Sequence, residues 1–173
     1  MDTTATMDTT VTIRRIGPGD ADALERFYGE LSGADRVARF LGVAPPLGHA
    51  RSETFCTTDH KHREGFVAVS REGSGAERIV GHLCIEPDDV GSAEMAVVVA
   101  DAFQGQGIGR RLLLAAVTWA RGAGVRRLDA TAFVTNSRII ALLRSLGLPV
   151  AIDWVGGSIC EMSVDLQAIR AAA

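Results

Sequence analysis

The run Gln104-Gly105-Gln106-Gly107-Ile108-Gly109 constrains this chain more than any other. It lies between three β-branched apolar residues, Val97, Val98 and Val99, and an amphipathic helical pattern that opens at Ile108. A strand that turns through glycines into a helix leaves the first N–H groups of the helix without partners, at the positive end of its dipole. Such a turn holds phosphate, so the spacing points to a phosphorylated cofactor.

The rest of the pattern surrounds that turn with a sheet. A strand is expected over residues 11–16, broken by Gly17-Pro18-Gly19-Asp20, with Asp20 capping a helix to about residue 31. Ser32 caps a short second helix through Phe40, and residues 42–58, with Pro45, Pro46 and Gly48, read as loop with at most one helical turn. Residues 65–70 and 78–85 form a hairpin across Glu72-Gly73-Ser74-Gly75. Residues 93–99, nearly all apolar, read as a central strand covered on both faces. The helix from Ile108 carries Ile108, Leu112, Ala115, Ala116 and Trp119 on one face and ends at Gly122 and Gly124. Another strand is expected over residues 127–134; Asn136 caps a helix to Leu146, stopped by Gly147 and Pro149. Residues 150–154 and 159–166 close the chain as a hairpin around Gly156-Gly157. The expected fold class is α/β (α+β): a mixed, mostly antiparallel sheet of about seven strands with about four helices on its two sides.

At 173 residues the chain makes one domain, expected over residues 11–167 between a frayed tail at 1–10 and a second tail at 168–173. Met-Asp-Thr-Thr occurs in the first tail at Met1 and again at Met7. The net charge of -3 gives no electrostatic case for nucleic acid. No apolar run approaches the roughly 18 residues of a membrane span, and the N-terminus lacks the basic and apolar regions of a signal peptide. Cys56, Cys84 and Cys160 follow no metal or redox spacing, so they read as reduced core thiols of a cytoplasmic protein. Lys61 is the sole lysine, which reflects coding bias toward arginine and not function.

The glycine turn has several readings. A nucleotide-triphosphatase loop requires Gly-Lys-Ser/Thr, but Arg110 and Arg111 follow Gly109. A dinucleotide fingerprint requires a glycine where Leu112 stands and an acid ending the next strand, whereas Asp129 falls within it. A structural turn with no ligand is the plain alternative, because a lone Gly-x-Gly is common.

Gln104-x-x-Gly107-x-Gly109 after an apolar strand resembles the acetyl-CoA motif of the GNAT superfamily of N-acetyltransferases. The strand at 127–134, Asn136, Leu142 and Leu146-Gly147-Leu148 follow in the family's order, with Leu148 where a phenylalanine is usual. The resemblance implies that backbone groups of Val97, Val98 and Val99 pair with the pantetheine arm. It further implies that N–H groups of Gly105, Gln106, Gly107, Ile108, Gly109 and Arg110 hold the pyrophosphate. Arg110 or Arg111 is a candidate charged contact or a solvated helix residue; Asn136 is first a helix cap, although in many members it also reaches the cofactor.

Acetyl transfer needs a neutral amine. A lysine with a pKa near ~10.4 is only about 0.1% neutral at physiological pH, a deficit of roughly 4 kcal/mol that a positioned base partly offsets. Glu94, at the head of the apolar strand, is the candidate base, against the alternative of a solvated acid at a strand end. In a subset of the family that modifies protein lysines, a glutamate in this place has that role. Many members also carry a tyrosine general acid where this chain has Leu143, and the sole tyrosine, Tyr28, lies in the first helix.

Phe27-Tyr28-Gly29-Glu30-Leu31-Ser32, Arg36 and Arg39-Phe40 are similar to the N-terminal segment of bacterial Pat-type protein lysine acetyltransferases, as are Asp59 and residues 65–69. The expected acceptor is therefore a protein lysine, with a small amine or a non-catalytic acyl-CoA sensor as alternatives. His60-x-His62 beside Asp59 and Glu64 invites a metal reading but lacks a third ligand, so no metal is expected and these histidines read as loop residues near the site's mouth. Trp119 and Trp154 read as core, no thiol shows an activating histidine for covalent catalysis, and the chain is expected to be a monomer or homodimer.

Overall fold

A computed structural model of the chain describes residues 10–71, 75, 77–88 and 90–168. The expected first tail apart from Thr10, turn residues 72–74 and most of the expected C-terminal tail lie outside the described residues. Strand β1 (Thr10–Arg15) is followed by a 3-10 turn (Pro18–Asp20) and three helices: α1 (Ala21–Glu30), α2 (Gly33–Phe40) and α3 (His49–Cys56). Next come β2 (Glu64–Arg71), β3 (Arg78–Pro87) and β4 (Ser92–Val99), a second 3-10 turn (Asp101–Phe103), and α4 (Ile108–Gly122). The chain closes with β5 (Arg127–Phe133), α5 (Ser137–Arg144), β6 (Val150–Gly156) and β7 (Ile159–Asp165). The seven strands form one sheet in the order β1-β2-β3-β4-β5-β7-β6. Only β4 and β5 run parallel, as the α4 crossover between them requires.

Local chemistry explains the helix boundaries. Ser32 Oγ accepts the Asp35 N–H at 3.1 Å and opens α2. Asp20 does not cap α1 through its side chain as expected; its carboxylate takes the Gly17 N–H at 2.9 Å and both guanidinium nitrogens of Arg14 at 2.8 and 2.7 Å, closing the turn ahead of the helix. Helix α3 replaces the expected loop. It buries only Ser52 and Cys56, which leaves no apolar periodicity to read. Ser52, Thr54 and Thr57 hydroxyls bond back to carbonyls four residues earlier, a pattern compatible with a helix although these residues favour turns.

The sheet separates two cores. Leu112, Leu113, Ala116, Val117 and Ala120 of α4 pack with Leu83, Ile85, Met95 and Leu128 on one face. On the other, Leu24, Phe27 and Tyr28 of α1 pack with Ile16, Val67 and Val98. Trp119 is buried as expected, but Trp154 is 74% exposed. On outermost strand β6 it pairs with Cys160 of β7, so its side chain continues a core-facing row past the point where helices cover the sheet. The expected two-sided cover of β4 is also incomplete, since Glu94 is exposed and Ala96, Val97 and Val99 are half-buried.

The α1–α3 face contains a fully buried histidine. His82 Nδ1 lies 2.9 Å from the Tyr28 hydroxyl, and burial pushes its pKa down to about 3 while pushing Tyr28 up to about 12. A histidine with a depressed folded-state pKa stabilises the fold above its unfolded value and loses that contribution as pH falls toward its folded value. Stability is therefore expected to decline from near pH 6.5 toward pH 3, with His82 contributing up to about 1.4 kcal/mol per pH unit. Chemical denaturation of His82→Phe across that range should give a shallower slope; an unchanged slope overturns the assignment.

Candidate active site

The two strands beside the glycine turn part company. Parallel pairing joins Ser92 to Arg127, Ala93 to Leu128 and Glu94 to Asp129, then stops, although β4 continues to Val99 and β5 to Phe133. The Asp88 N–H to Ser92 O bond of 2.8 Å and the Ala100 N–H to Val80 O bond of 3.0 Å make even-numbered residues of β4 the hydrogen-bonded pairs with β3. Val98 thus directs its N–H and C=O to His82, whereas Val97 and Val99 direct theirs toward the gap. Gln104 Nε2 donates to the Val99 carbonyl at 2.9 Å; among the described residues the Val97 N–H and C=O and the Val99 N–H are left as open edge groups. An open edge of this kind accepts an extended ligand as though it were another strand.

At the end of that edge stands the N-terminus of α4. No side chain caps it, and the first intrahelical bond is Arg111 N–H to Gly107 O at 3.1 Å. Among the described residues, N–H groups from Gly105 to Arg110 have no protein acceptor, which fits an anionic ligand. The three glycines serve different needs. Gly105 and Gly107 have φ of +74° and +75°, and an added Cβ would meet open space at both. At Gly109 a Cβ would sit 3.1 Å from Leu142 Cδ2, so this glycine permits close packing of α4 on α5.

Gln104 holds the turn together. Its amide nitrogen also lies 3.2 Å from Asp35 Oδ1 of α2 and 3.1 Å from Asp101 Oδ1, and its carbonyl accepts from Arg138 of α5. Burial and the neighbouring Asp101 raise the Asp35 carboxyl. Asn136 Oδ1 accepts the Ile139 N–H at 3.3 Å as the expected cap, and its amide nitrogen makes no hydrogen bond within the described residues. Arg110 donates through Nε to Ser145 O at 3.2 Å.

Glu94 opens onto the α1–α3 face, where it is opposite Glu86 in β3 and level with Asp129 in β5. Arg63 Nε approaches Glu86 at 3.9 Å and Arg127 Nε bonds Asp129 at 2.9 Å, but no described side chain pairs with Glu94. Leu143, in the place of the family tyrosine, is fully buried, and Tyr28 is committed to His82. Burial raises the Cys84 thiol, against a nucleophilic role. His60 and His62 do not converge: His60 Nδ1 is 2.8 Å from Glu64, and His62 Nδ1 is 2.7 Å from Asp59. Glu64 is itself buried, with Arg15 Nε 3.0 Å from its second oxygen. Asp22, Glu25 and His49, on α1 and α3, are the three described side chains whose possible metal-ligating atoms gather, and they lie largely on the surface. Asp35, Arg138 and Asp129 join the site from distant segments with no local sequence signal, whereas His82, isolated in an apolar strand, was open to notice.

A parted strand pair leading into an uncapped, glycine-opened helix fits an extended ligand with an anionic end. The chain belongs to the acetyltransferase (GNAT) family, whose family model matches residues 26–148. It is accordingly an N-acetyltransferase, of a family that uses acetyl-CoA. It is 30% identical over 141 residues to acetyltransferase PA5475 of Pseudomonas aeruginosa, covering 79% of this chain and 74% of that protein. It is also 28% identical over 153 residues to acetyltransferase Pat of Mycolicibacterium smegmatis, covering 88% of this chain but only 45% of that longer protein. The GNAT domain of S. lividans PAT shares the fold with a TM-score of 0.78 at 24% identity, covering 90% of each chain. The Salmonella typhimurium yncA structure, which contains acetyl-CoA, aligns with a TM-score of 0.67 at 22% identity, over 94% of this chain and 99% of that one.

The different reasons for the glycines predict different costs. Gly107→Ala forces a side chain into left-handed backbone and should cost about 1–2 kcal/mol. Gly109→Ala meets only the flexible end of Leu142 and should cost less. Thermal unfolding of the two variants ranks them; a larger loss at Gly109 overturns the distinction.

Proposed function

We propose that this enzyme transfers the acetyl group of acetyl-CoA to a protein lysine by direct attack in a ternary complex, in the cytoplasm. The observation that carries the reading is the parting of β4 from β5 at Glu94, which brings a carboxylate, an open strand edge and unpaired helix N–H groups into one continuous path. Similarity of the Phe27 to Phe40 segment to Pat-type enzymes, together with the Pat relatives, favours a protein lysine over a small amine.

Each residue has a role on this reading. Val97 and Val99 align the pantetheine arm through their free edge groups. Val98 stays bonded to β3 and supports the edge through its side chain in the α1–α3 core. N–H groups of Gly105, Gln106, Gly107, Ile108, Gly109 and Arg110 bind the pyrophosphate, Gln104 fixes the turn around them, and the Asn136 amide nitrogen is assigned a contact with the cofactor. Bound acetyl-CoA supplies an activated thioester. Glu94 removes the proton from the incoming ammonium, giving the neutral nitrogen that attack requires. The buried Leu143 has no proton for the departing thiolate, so solvent supplies it.

Acetyl-CoA at about a hundred times its dissociation constant should stabilise the protein by about 2.7 kcal/mol, with no response to NADH. Glu94→Gln should lower turnover at neutral pH by about 100-fold or more while acetyl-CoA still binds. Unchanged turnover removes Glu94 from the chemistry. Labelled acetyl-CoA offered to a lysate and to a panel of small amines identifies the acceptor: label confined to small amines overturns the lysine reading. Binding without CoA release for any acceptor makes the protein a sensor, the role that Leu143 favours.

A further inference from the structure

The α1–α3 face contains a guanidinium that pairs with no carboxylate among the described residues. Arg39, near the end of α2, is largely buried; its Nη2 donates to Cys84 Sγ at 3.1 Å and its Nε has no hydrogen-bond partner. Its guanidinium lies 5.1 Å from the centre of the Phe40 ring and 6.0 Å from that of Phe55, and Arg51 of α3 stands 5.6 Å from the Phe40 ring. A cation withdrawn from water without a counter-charge is costly.

The charge lies beside the proposed base. Cys84 is opposite Ala96, and Glu94 is two residues before Ala96 on the same face. Cys84 and Glu94 are therefore diagonal neighbours, about 7–8 Å apart at their α-carbons. Glu94 is the carboxylate whose charge acts on Arg39, since burial keeps the Tyr28 hydroxyl and the Cys84 thiol neutral. Glu94 itself stands between Glu86 of β3 and Asp129 of β5, a row of like charges across three strands. Glu86 has Arg63 and Asp129 has Arg127, which leaves Arg39 as the compensating charge for the middle member.

We propose that Arg39 is a positioning residue for Glu94: its charge, held over Cys84 by the aromatic rings, offsets the fields of Glu86 and Asp129 at the Glu94 carboxylate, where an amine can reach it. The proposal rests on the reading of Glu94 as base only for its kinetic consequence. The coupling itself is measurable without any acceptor.

The test is a 13C NMR titration of the glutamate side-chain carboxylates in the full chain, with Glu94→Gln identifying the Glu94 signal. In Arg39→Gln, which keeps a hydrogen-bonding head without the charge, the Glu94 signal should titrate about 1 pH unit higher than in the parent. Arg39→Lys should titrate like the parent. An unmoved signal in a folded Arg39→Gln protein overturns the proposal; if that variant fails to fold, Arg39→Met is read in its place. A purely structural Arg39 would lower the melting temperature without moving the titration. With a lysine-containing peptide as acceptor, the acid limb of kcat should move with the signal while KM for acetyl-CoA stays fixed. A signal that moves without the acid limb supports the coupling and removes Glu94 as the base, so the two readings fail separately.

Discussion

Three residue pairs between β4 and β5 join the two halves of the sheet, and the end of that pairing at Glu94 and Asp129 governs what the rest of the molecule can do. Continued pairing would have closed the edge of Val97 and Val99 with β5 and left no route from the glycine turn to Glu94. Backbone polar groups left open in a sheet interior are costly unless water or a ligand meets them. The α4 crossover maintains the gap: the chain leaves β4 at the open end, turns through Gly105 and Gly107, and reaches β5 only after the length of a helix. Gln104 stabilises the arrangement by satisfying the Val99 carbonyl and connecting it to Asp35 and Arg138.

The two faces of the sheet divide the tasks of folding and chemistry. On the α4 side the buried set is almost wholly apolar, running from Leu83 and Ile85 through Leu112, Leu113 and Leu128 to Met162 and Val164. Dense apolar packing there fixes the sheet and the direction of α4. The α1–α3 side mixes its apolar core with Tyr28, His82, Arg39 and Cys84, and it is the side onto which Glu94 opens. Polar groups of that kind cost stability unless paired, so their concentration on one face marks where the fold gives up some packing energy to arrange charge.

Much of this architecture is legible in the sequence because it depends on local signals. The strand, glycine turn and helix around Gln104, the Ser32 and Asn136 caps, and the closing glycine pair each lie within a few residues and have a direct physical cause. Helix α3 is hidden because Ser52 and Cys56 are its only buried residues and its serine and threonine hydroxyls favour turns in isolation. Trp154 misleads because an apolar residue alternating with its strand is normally covered, and only the order of strands reveals that β6 is outermost. The different roles of Val97, Val98 and Val99 depend on β3 pairing phase, which composition cannot supply. The row of Glu86, Glu94 and Asp129 across three strands, and the approach of Arg63 to Glu86 from outside β3, are invisible until the strands are aligned.

The absence of a tyrosine at Leu143 follows from the same division of faces. Leu143 is fully buried in the α4-side core, where it packs with the cluster that includes Leu112 and Leu146. A tyrosine there would have to find a partner for its hydroxyl within an apolar layer or displace the layer to reach the gap. Tyr28 offers no substitute, because its hydroxyl is sealed against His82 and burial raises its pKa to about 12. With both positions closed, the acid–base capacity of the proposed reaction is concentrated on the acceptor side, at the exposed carboxylate of Glu94. A thiol is a much stronger acid than an amine, so its anion can leave and take a proton from water, whereas an ammonium cannot attack until it loses one. An enzyme with one positioned titratable group gains most by placing it against the harder proton transfer, the place the proposed reaction gives to Glu94.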